Sequence, residues 1–236
     1  MGDLSRRNFV SSSTLALVGG GLLMATPREG FGQVTPLDKN QFGKGTLSPR
    51  DKIRQRYLPN VVLRTHLNKE VRFYDDLMKD KIVIINFMYA SCEGVCPAIM
   101  ANLLRVQKLF GERVGRDIFM YSFTLQPEKD TPKVLKKYAE MHRVRPGWTF
   151  LTGKPDDLEL LRRKLGFTSP DPVADKDKSN HIGNLRYGNE PLMLWASCPG
   201  QAQPQWIVDS ISWLIRPENP KQDVRRQREA SRGASF

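Results

Sequence analysis

Residues 81–110 read KIVIINFMYASCEGVCPAIMANLLRVQKLF, and this stretch decides the fold. It begins with a continuous apolar run rich in isoleucine and valine, which is typical of a strand buried on both faces by helices. Pro97 then opens a segment whose apolar residues recur at helical spacing, and proline is favoured in the first turn of a helix. The sequence therefore predicts a central strand that is followed directly by a helix.

Cys92 and Cys96 lie at the predicted junction of this strand and helix. Helical geometry would place two residues at this spacing on one face, at the end where unpaired backbone amides favour a thiolate. The spacing is Cys-x-x-x-Cys rather than Cys-x-x-Cys. Because a histidine is also available, this spacing favours a metal held between two thiolates over simple dithiol exchange.

The N-terminus has the pattern of a twin-arginine export signal. Arg6 and Arg7 precede a weakly hydrophobic core that contains three consecutive glycines, and such a core is a poor soluble helix. We therefore expect export to a bacterial periplasm, with the signal either cleaved, near Ala25 or before Gln33, or retained as an anchor. That compartment is oxidising, so a pair of close cysteines there is either used or joined in a disulfide.

The formal net charge of +12 raises the question of an anionic partner. The basic residues are scattered and form no motif interleaved with aromatic residues, which disfavours nucleic acid. An anionic membrane surface or an acidic protein partner is the better expectation. Apart from the signal, no apolar run approaches the length of about 18 residues that a membrane span requires.

The apolar and turn patterns predict an N-terminal hairpin, then strand, helix, strand, helix, strand, helix, hairpin and helix. This order, with paired cysteines after the first main strand, predicts an α/β fold of the thioredoxin-like class, with a central mixed sheet flanked by helices. The second hairpin, over residues 185–195, is expected as an insertion after His181. The predicted segments are an export signal (1–32), a flexible linker (33–55), the thioredoxin-like domain (56–215) and a disordered basic tail (216–236).

Four separated motifs, in this order, resemble the Sco/SenC family of copper-handling proteins. They are Phe87-Met88-Tyr89 continuing through Cys92-Glu93-Gly94-Val95-Cys96-Pro97, then Pro127-Glu128-Lys129-Asp130-Thr131-Pro132, the stretch from Trp148 to Gly153, and His181. The resemblance covers roughly residues 61–214. It departs from the family pattern at Gln126, where the family usually has the first carboxylate of an Asp-Pro-x-x-Asp loop.

The resemblance implies that Cys92, Cys96 and His181 bind copper, as Cu(I), Cu(II) or both. Two thiolates and an imidazole are a soft ligand set that suits Cu(I) in trigonal geometry, and a further ligand or water would let the same site hold Cu(II). It also implies delivery of copper to a copper enzyme, the CuA centre of cytochrome c oxidase. The expected partners are an oxidase subunit that accepts copper and a chaperone that donates it.

An enzymatic alternative stays open at this point. Cys92 and Cys96 could instead be the redox-active pair of a thiol–disulfide oxidoreductase that reduces the cysteines of a copper acceptor. The two functions differ in their need for His181, since dithiol exchange requires only the cysteines. A thioredoxin-related peroxidase is disfavoured, because two cysteines at this spacing and a distant histidine do not by themselves form a peroxide pocket.

The remaining candidate residues have structural interpretations. His66 lies in a predicted turn and His142 near a helix end, and both are left out of the site. Asp130 or Thr131 is expected to cap a helix, with an outer contact to the metal site as the other role considered for Asp130. Cys198 is expected to be a packed or stray thiol. The aromatic residues expected in the core are Trp148, Phe150 and Trp213.

Overall fold

The computed structural model describes residues 47–92, 94, 96–177 and 183–215. The predicted export signal (1–32), most of the predicted linker, His181 and the predicted basic tail (216–236) therefore lie outside the described residues.

The described residues form one seven-stranded sheet with helices packed against it, in the strand order β2-β1-β5-β4-β3-β6-β7. The strands are β1 Val62–Thr65, β2 Glu70–Arg72, β3 Ile82–Met88, β4 Ile118–Thr124, β5 Trp148–Gly153, β6 Asn184–Asn189 and β7 Leu194–Pro199. The helices are α1 Pro49–Tyr57, α2 Cys96–Phe110, α3 Pro132–Met141, α4 Pro155–Lys164, α5 Pro172–Lys176 and α6 Pro204–Ser212. None of these helices is both long enough and apolar enough to cross a bilayer.

The sheet is mixed, as predicted. Strand β3 is parallel to β4, and β4 is parallel to β5. At the edges, β1 and β2 form an antiparallel hairpin, and so do β6 and β7. Because β6 also pairs antiparallel with β3, the second hairpin is continuous with the central sheet and forms one of its edges.

Strand β3 is buried on both faces, which explains its continuous apolar sequence. Successive side chains of a strand point to opposite faces. Phe87 packs on one face, with its ring centroid 5.4 Å from that of Phe123 and 4.8 Å from that of Phe167. Met88 faces the other way and lines a narrow internal cavity with residues of α2 and α3. The strand is thus fixed from both sides at the point where the cysteine segment begins.

The predicted linker overlaps a helix, which corrects its boundary. Helix α1 begins at Pro49, inside the 33–55 segment where little order is expected, and Ser48 caps it by accepting a hydrogen bond from the N–H of Asp51. Arg50 binds the carboxylate of Glu190 at 3.0 Å. Glu190 is fully buried at the end of β6 and also accepts a hydrogen bond from the Tyr74 hydroxyl, at 3.0 Å. A buried carboxylate requires charged or hydrogen-bonding partners. Because Arg50 is one of these partners, its bond to Glu190 fixes helix α1 in a segment whose composition is that of a linker.

Two further expectations differ from the structure. Trp213 was predicted to be core but is 88% exposed, because α6 ends at Ser212 and uses Ile207 and Ile211 as its buried face. Trp148 and Phe150 are buried as predicted. The predicted element order has no helix between α4 and the second hairpin, but the structure has the short helix α5 there, whose first turn is capped by the side chain of Asp171.

Candidate metal centre

The two cysteines lie at the carboxyl end of β3, where the sequence predicted them. Cys96 is the first residue of α2 and is buried, whereas Cys92 lies in the preceding loop and is half-buried. Cys92 is therefore not on the helix. The expectation that helical spacing places the two sulfurs on one face was wrong. The loop brings them together instead: the two thiols are hydrogen-bonded to each other, and both are free rather than joined in a disulfide.

The sulfur of Cys92 is surrounded by hydrogen-bond donors. Burial by itself raises the pKa of Cys92, but the thiol and the backbone N–H of Cys96 both donate to its sulfur. The backbone N–H of Gly94 and the hydroxyl of Tyr89 donate as well. Together these bonds outweigh burial and hold the pKa of Cys92 below its ordinary value, because they stabilise the thiolate.

Cys96 has the opposite character. Burial, followed by the hydrogen bond it makes with Cys92, raises the pKa of Cys96 to about 12. The pKa of Tyr89 is also raised to about 12, first by its hydrogen bond to Cys92 and then by burial. The site thus pairs a half-exposed sulfur, whose pKa is lowered, with a buried sulfur and a phenol whose pKa values are both raised to about 12.

Asp130, in the loop between β4 and α3, supports the cysteine loop. Its Oδ2 atom accepts hydrogen bonds from the backbone N–H of Ala90 at 3.1 Å and from the Thr124 hydroxyl at 2.5 Å. The side chain of Asp130 is 1% exposed. It does not cap α3, since that role belongs to Thr131, whose side chain accepts from the N–H of Val134. Of the two roles considered for Asp130, the cap was wrong.

Sequence reasoning missed the part played by Tyr89. The motif Phe87-Met88-Tyr89 contains this residue, but the motif by itself assigns it no role. Its position supplied a usable signal, because it follows the last residue of β3 and precedes Cys92 by three residues, which is within reach of a turn. The backbone N–H of Cys92 does bond to the carbonyl of Tyr89, at 3.2 Å.

His181 lies outside the described residues, but its described flanks lie near the cysteines. Before it, the charge of Asp177 is among the causes that raise the pKa of Tyr89, after the Cys92 hydrogen bond and burial. After it, the carbonyl of Gly183 accepts a hydrogen bond from the N–H of Gly200 at 2.7 Å. Gly200 in turn packs against the side chain of Ile99, in the first turn of α2.

The other histidines and the third cysteine are engaged elsewhere. Nδ1 of His66 accepts a hydrogen bond from the N–H of Phe150 at 3.2 Å, and the ring of His142 packs on Tyr138 with centroids 4.4 Å apart. Cys198 is buried in β7, as expected of a packed thiol, and burial raises its pKa to about 11. Across the described ranges, no group of three His, Cys, Asp or Glu side chains is arranged to hold a metal.

The donor set therefore fits a soft metal ion in part. Two sulfurs in contact at a helix N-terminus are the ligands that Cu(I) prefers, and a third donor is needed to complete trigonal coordination. Hard cations such as Mg²⁺ and Ca²⁺ are disfavoured, since these require several oxygen ligands.

Comparison with known proteins identifies the fold and the family. The family model described as SCO1/SenC matches residues 65–214. Over 78 residues the chain is 36% identical to the SCO1 protein homolog of Bacillus subtilis, covering 32% of this chain and 39% of that relative. Over 134 residues it is 27% identical to a Stutzerimonas stutzeri protein named "Putative copper-binding protein", covering 56% of this chain and 64% of the relative. The aligned part thus spans less than two thirds of each.

Solved structures agree on the fold. A SCO1/SenC family lipoprotein from Bacillus anthracis superposes with a TM-score of 0.55 at 20% identity, over 66% of this chain and 93% of that one. Yeast Sco1 with copper bound superposes with a TM-score of 0.53 at 20% identity, over 68% of this chain and 92% of that one. The thioredoxin-like layout predicted from the element order is confirmed. Because the family model covers most of the domain, the chain belongs to the SCO1/SenC family.

Proposed function

We propose that this protein holds one copper ion through Cys92, Cys96 and His181 and delivers it to a copper enzyme. The acceptor site is the CuA centre of cytochrome c oxidase. The observation that carries the proposal is the contact between the two free thiols at the N-terminus of α2. Two further findings support the proposal. The chain belongs to the SCO1/SenC family, and its Stutzerimonas stutzeri relative is named "Putative copper-binding protein".

The two cysteines have different parts in binding. Cys92 is half exposed and has the lower pKa of the two thiols, so it is the sulfur that meets an incoming Cu(I) ion first. Cys96 must release its proton when the ion binds, because the thiolate is the ligand. Metal binding is therefore expected to release protons, and the affinity for copper is expected to rise with pH.

The same asymmetry suits transfer. A copper carrier must bind copper more tightly than competing ligands do and must still leave the ion accessible to the acceptor. The neighbours Ser91 and Gly94 are exposed, so the ligands of an acceptor protein can approach Cys92 from solvent. The buried Cys96, fixed at the start of α2, would keep the ion in place until the exchange occurs.

We also propose that the protein works in the periplasm, exported by the twin-arginine signal and either cleaved or anchored at the membrane. The signal motif in residues 1–32 supports this location.

A second function is favoured by the difference in pKa between the cysteines. In a thiol–disulfide reductase, the thiolate of Cys92 attacks a disulfide of the copper acceptor, forms a mixed disulfide with one sulfur and releases the other as a thiolate. Cys96 then loses its proton and attacks Cys92. The acceptor is released with both of its cysteines reduced, and Cys92 and Cys96 become a disulfide. Two electrons have then passed from this protein to the acceptor.

The test is a competition titration of the reduced full-length chain with a Cu(I) chelator, in the wild type and in Cys92→Ala, Cys96→Ala and His181→Ala. Each variant should bind Cu(I) at least roughly tenfold more weakly, since even outer contacts to a metal ligand are worth 10–100-fold. Cys198→Ala and His142→Ala are the matched controls and should bind as the wild type does. Reduction of an acceptor disulfide should survive in His181→Ala. Unchanged Cu(I) affinity in His181→Ala would overturn the three-ligand site and favour the reductase.

A further inference from the structure

The two edge strands of the sheet differ in length and charge. Strand β2 has only three residues, and two of them, Glu70 and Arg72, are exposed and charged. Strand β7 has six residues and no charged side chain, and its one proline, Pro199, stands at its end. Proteins commonly protect a sheet edge from further pairing by shortening the strand or by placing charged side chains on it. Neither of these protections is present at β7.

The chain around β7 is uncharged. Residues 191–208 contain no Asp, Glu, Lys or Arg, whereas 26% of the whole chain is charged and its formal net charge is +12. The buried centre of a protein–protein interface is depleted of charged residues relative to the rest of the surface. A long uncharged stretch at the edge of such a basic protein is therefore typical of a contact surface.

Exposed apolar side chains lie next to this edge. Three of them are between 42% and 51% exposed: Leu192, Leu194 and Trp206. Leu194 lies directly opposite Asn189, whose side chain donates to the carbonyl of Leu214, just after α6, at 2.6 Å. Leu194 is therefore on the sheet face that α6 covers. Trp206 lies in α6 and stays half exposed although α6 packs against α2, so it is on the flank that α2 leaves open. We refer to the open edge of β7 and these three side chains as the β7 surface.

The pairing pattern indicates which backbone groups of β7 are open. The N–H of Glu190 bonds to the carbonyl of Lys81, so Glu190 faces β3 and the preceding residue, which is opposite Leu194, faces β7. Backbone groups alternate in direction along a strand. Trp195 and Ser197 therefore direct their N–H and C=O groups to the open edge, where no other described strand pairs with them.

We propose that the β7 surface is the interface of a homodimer, in which the β7 strands of two copies pair antiparallel about a two-fold axis. An antiparallel pair of identical strands is self-complementary, so each copy supplies the hydrogen-bond partners that the open edge of the other requires. The uncharged surface also lets two strongly basic chains approach each other, and burial of its apolar side chains favours association.

The proposed interface is separate from the copper site. Strand β6 lies between β3, which leads to the cysteine loop, and β7. Pairing at β7 therefore leaves the cysteine loop of each copy accessible, and the proposal does not rest on copper binding.

Other occupants fit the β7 surface less well. An anionic membrane and an acidic protein are both attracted by cations, and residues 191–208 contain none. In the apolar part of a bilayer, the open N–H and C=O groups of β7 would also lack hydrogen-bond partners, which costs several kcal/mol for each group. The strand of a second copy satisfies these groups directly.

The test is sedimentation equilibrium of the reduced, metal-free full-length protein at about 0.15 M salt, which screens repulsion between the basic chains. The wild type should be a dimer in reversible equilibrium with a monomer. Leu194→Lys places like charges of both copies in the interface, and Ser197→Pro removes one open N–H donor without removing a bond to β6. Each should raise the dissociation constant of the dimer at least roughly tenfold.

Two controls make the result specific. Leu67→Lys adds the same charge at a leucine that is 67% exposed between β1 and β2, at the opposite end of the sheet, and should dimerise as the wild type does. The Cu(I) affinity of each chain should be unchanged in Leu194→Lys and Ser197→Pro, so failure of the dimer is distinguishable from failure of the copper site. If circular dichroism shows that Ser197→Pro does not fold, Leu194→Lys, at an exposed side chain, decides the test.

Three results would overturn the proposal. The first is a wild type that remains monomeric at about 0.1 mM. The second is a dimer whose dissociation constant is the same in Leu194→Lys as in the wild type, since the interface would then lie elsewhere. The third is a monomer that binds phosphatidylglycerol vesicles and loses this binding in Trp206→Ser, which would assign the β7 surface to the membrane.

Discussion

Asp130 accepts a hydrogen bond from the backbone N–H of Ala90, 40 residues earlier in the chain, with 3.1 Å between Oδ2 and N. The same oxygen accepts from the hydroxyl of Thr124, the last residue of β4, at 2.5 Å. Ala90 precedes Cys92 by two residues. One buried carboxylate therefore ties the start of the cysteine loop to the end of the neighbouring parallel strand.

Loss of this carboxylate should destabilise the domain. Asp130→Ala leaves the half-buried N–H of Ala90 and the buried hydroxyl of Thr124 without this acceptor, and an unsatisfied buried polar group costs about 1–3 kcal/mol. We expect a loss of that size in the free energy of unfolding, measured by urea titration of the reduced apoprotein. Asp130→Asn retains one acceptor oxygen and should lose less. An Asp130→Ala variant as stable as the wild type would contradict this role of Asp130.

The two site cysteines should differ in reactivity. The pKa of Cys92 lies below its ordinary value and that of Cys96 is raised to about 12, so Cys92 has the larger thiolate fraction at neutral pH. Iodoacetamide should therefore modify Cys92 first in the reduced apoprotein, as read by peptide mass spectrometry. Tyr89→Phe removes one donor to that sulfur and should slow the reaction, whereas Tyr57→Phe, at an exposed tyrosine of α1, should not. Equal rates at Cys92 and Cys96 would contradict the assignment.

Two tryptophans that look alike in the sequence should respond differently to substitution. Trp148 is 3% exposed and its Nε1 donates to the hydroxyl of Ser122 at 2.8 Å, whereas Trp213 is 88% exposed. Trp148→Phe should cost about 1–3 kcal/mol in the free energy of unfolding, because the buried Ser122 loses its donor. Trp213→Phe, the matched control, should stay within about 0.5 kcal/mol of the wild type. A larger loss at Trp213 would show that its side chain is packed in solution.

The acid sensitivity of the domain should depend on Glu159. Hydrogen bonding to Arg162 holds the pKa of Glu159 at about 2, below its ordinary value of 4.5. The unfolded chain therefore binds more protons than the folded one between these pH values, and the stability that Glu159 contributes is lost as the pH falls from about 4.5 toward 2. Above pH 4.5 that contribution is complete. In Glu159→Gln, the free energy of unfolding should fall less steeply over this interval, and identical slopes would contradict the pKa shift.

The strand and helix around the cysteines could be predicted because their signals are local. The apolar run of β3 and the helical spacing after Pro97 indicate burial, whichever elements cover them. The strand and the helix can therefore be predicted without knowing which elements pack against them. The role of Asp130 could not be predicted in this way. Asp130 and Thr131 are both good helix caps, and what separates them is a hydrogen bond to Ala90, which is remote in sequence.

Partners remote in sequence explain the other differences as well. Trp213 lies at helical spacing from apolar residues of α6, but periodicity does not say where the helix ends. Sequence alone predicts Arg162 to be a surface residue, since arginine is seldom buried. It is buried because it binds Asp175, which lies in a segment too polar to indicate burial. The ligand role of His181 came from the family resemblance alone, since a single histidine in a polar segment has no local signature.

The proposed function requires copper bound by two sulfurs and one imidazole, and X-ray absorption at the copper edge measures this directly. For the full-length protein loaded with one equivalent of Cu(I), we predict a first shell of two sulfur scatterers and one imidazole nitrogen, with the imidazole signal absent in His181→Ala. A shell of sulfur alone in the wild type, unchanged by His181→Ala, would contradict the account.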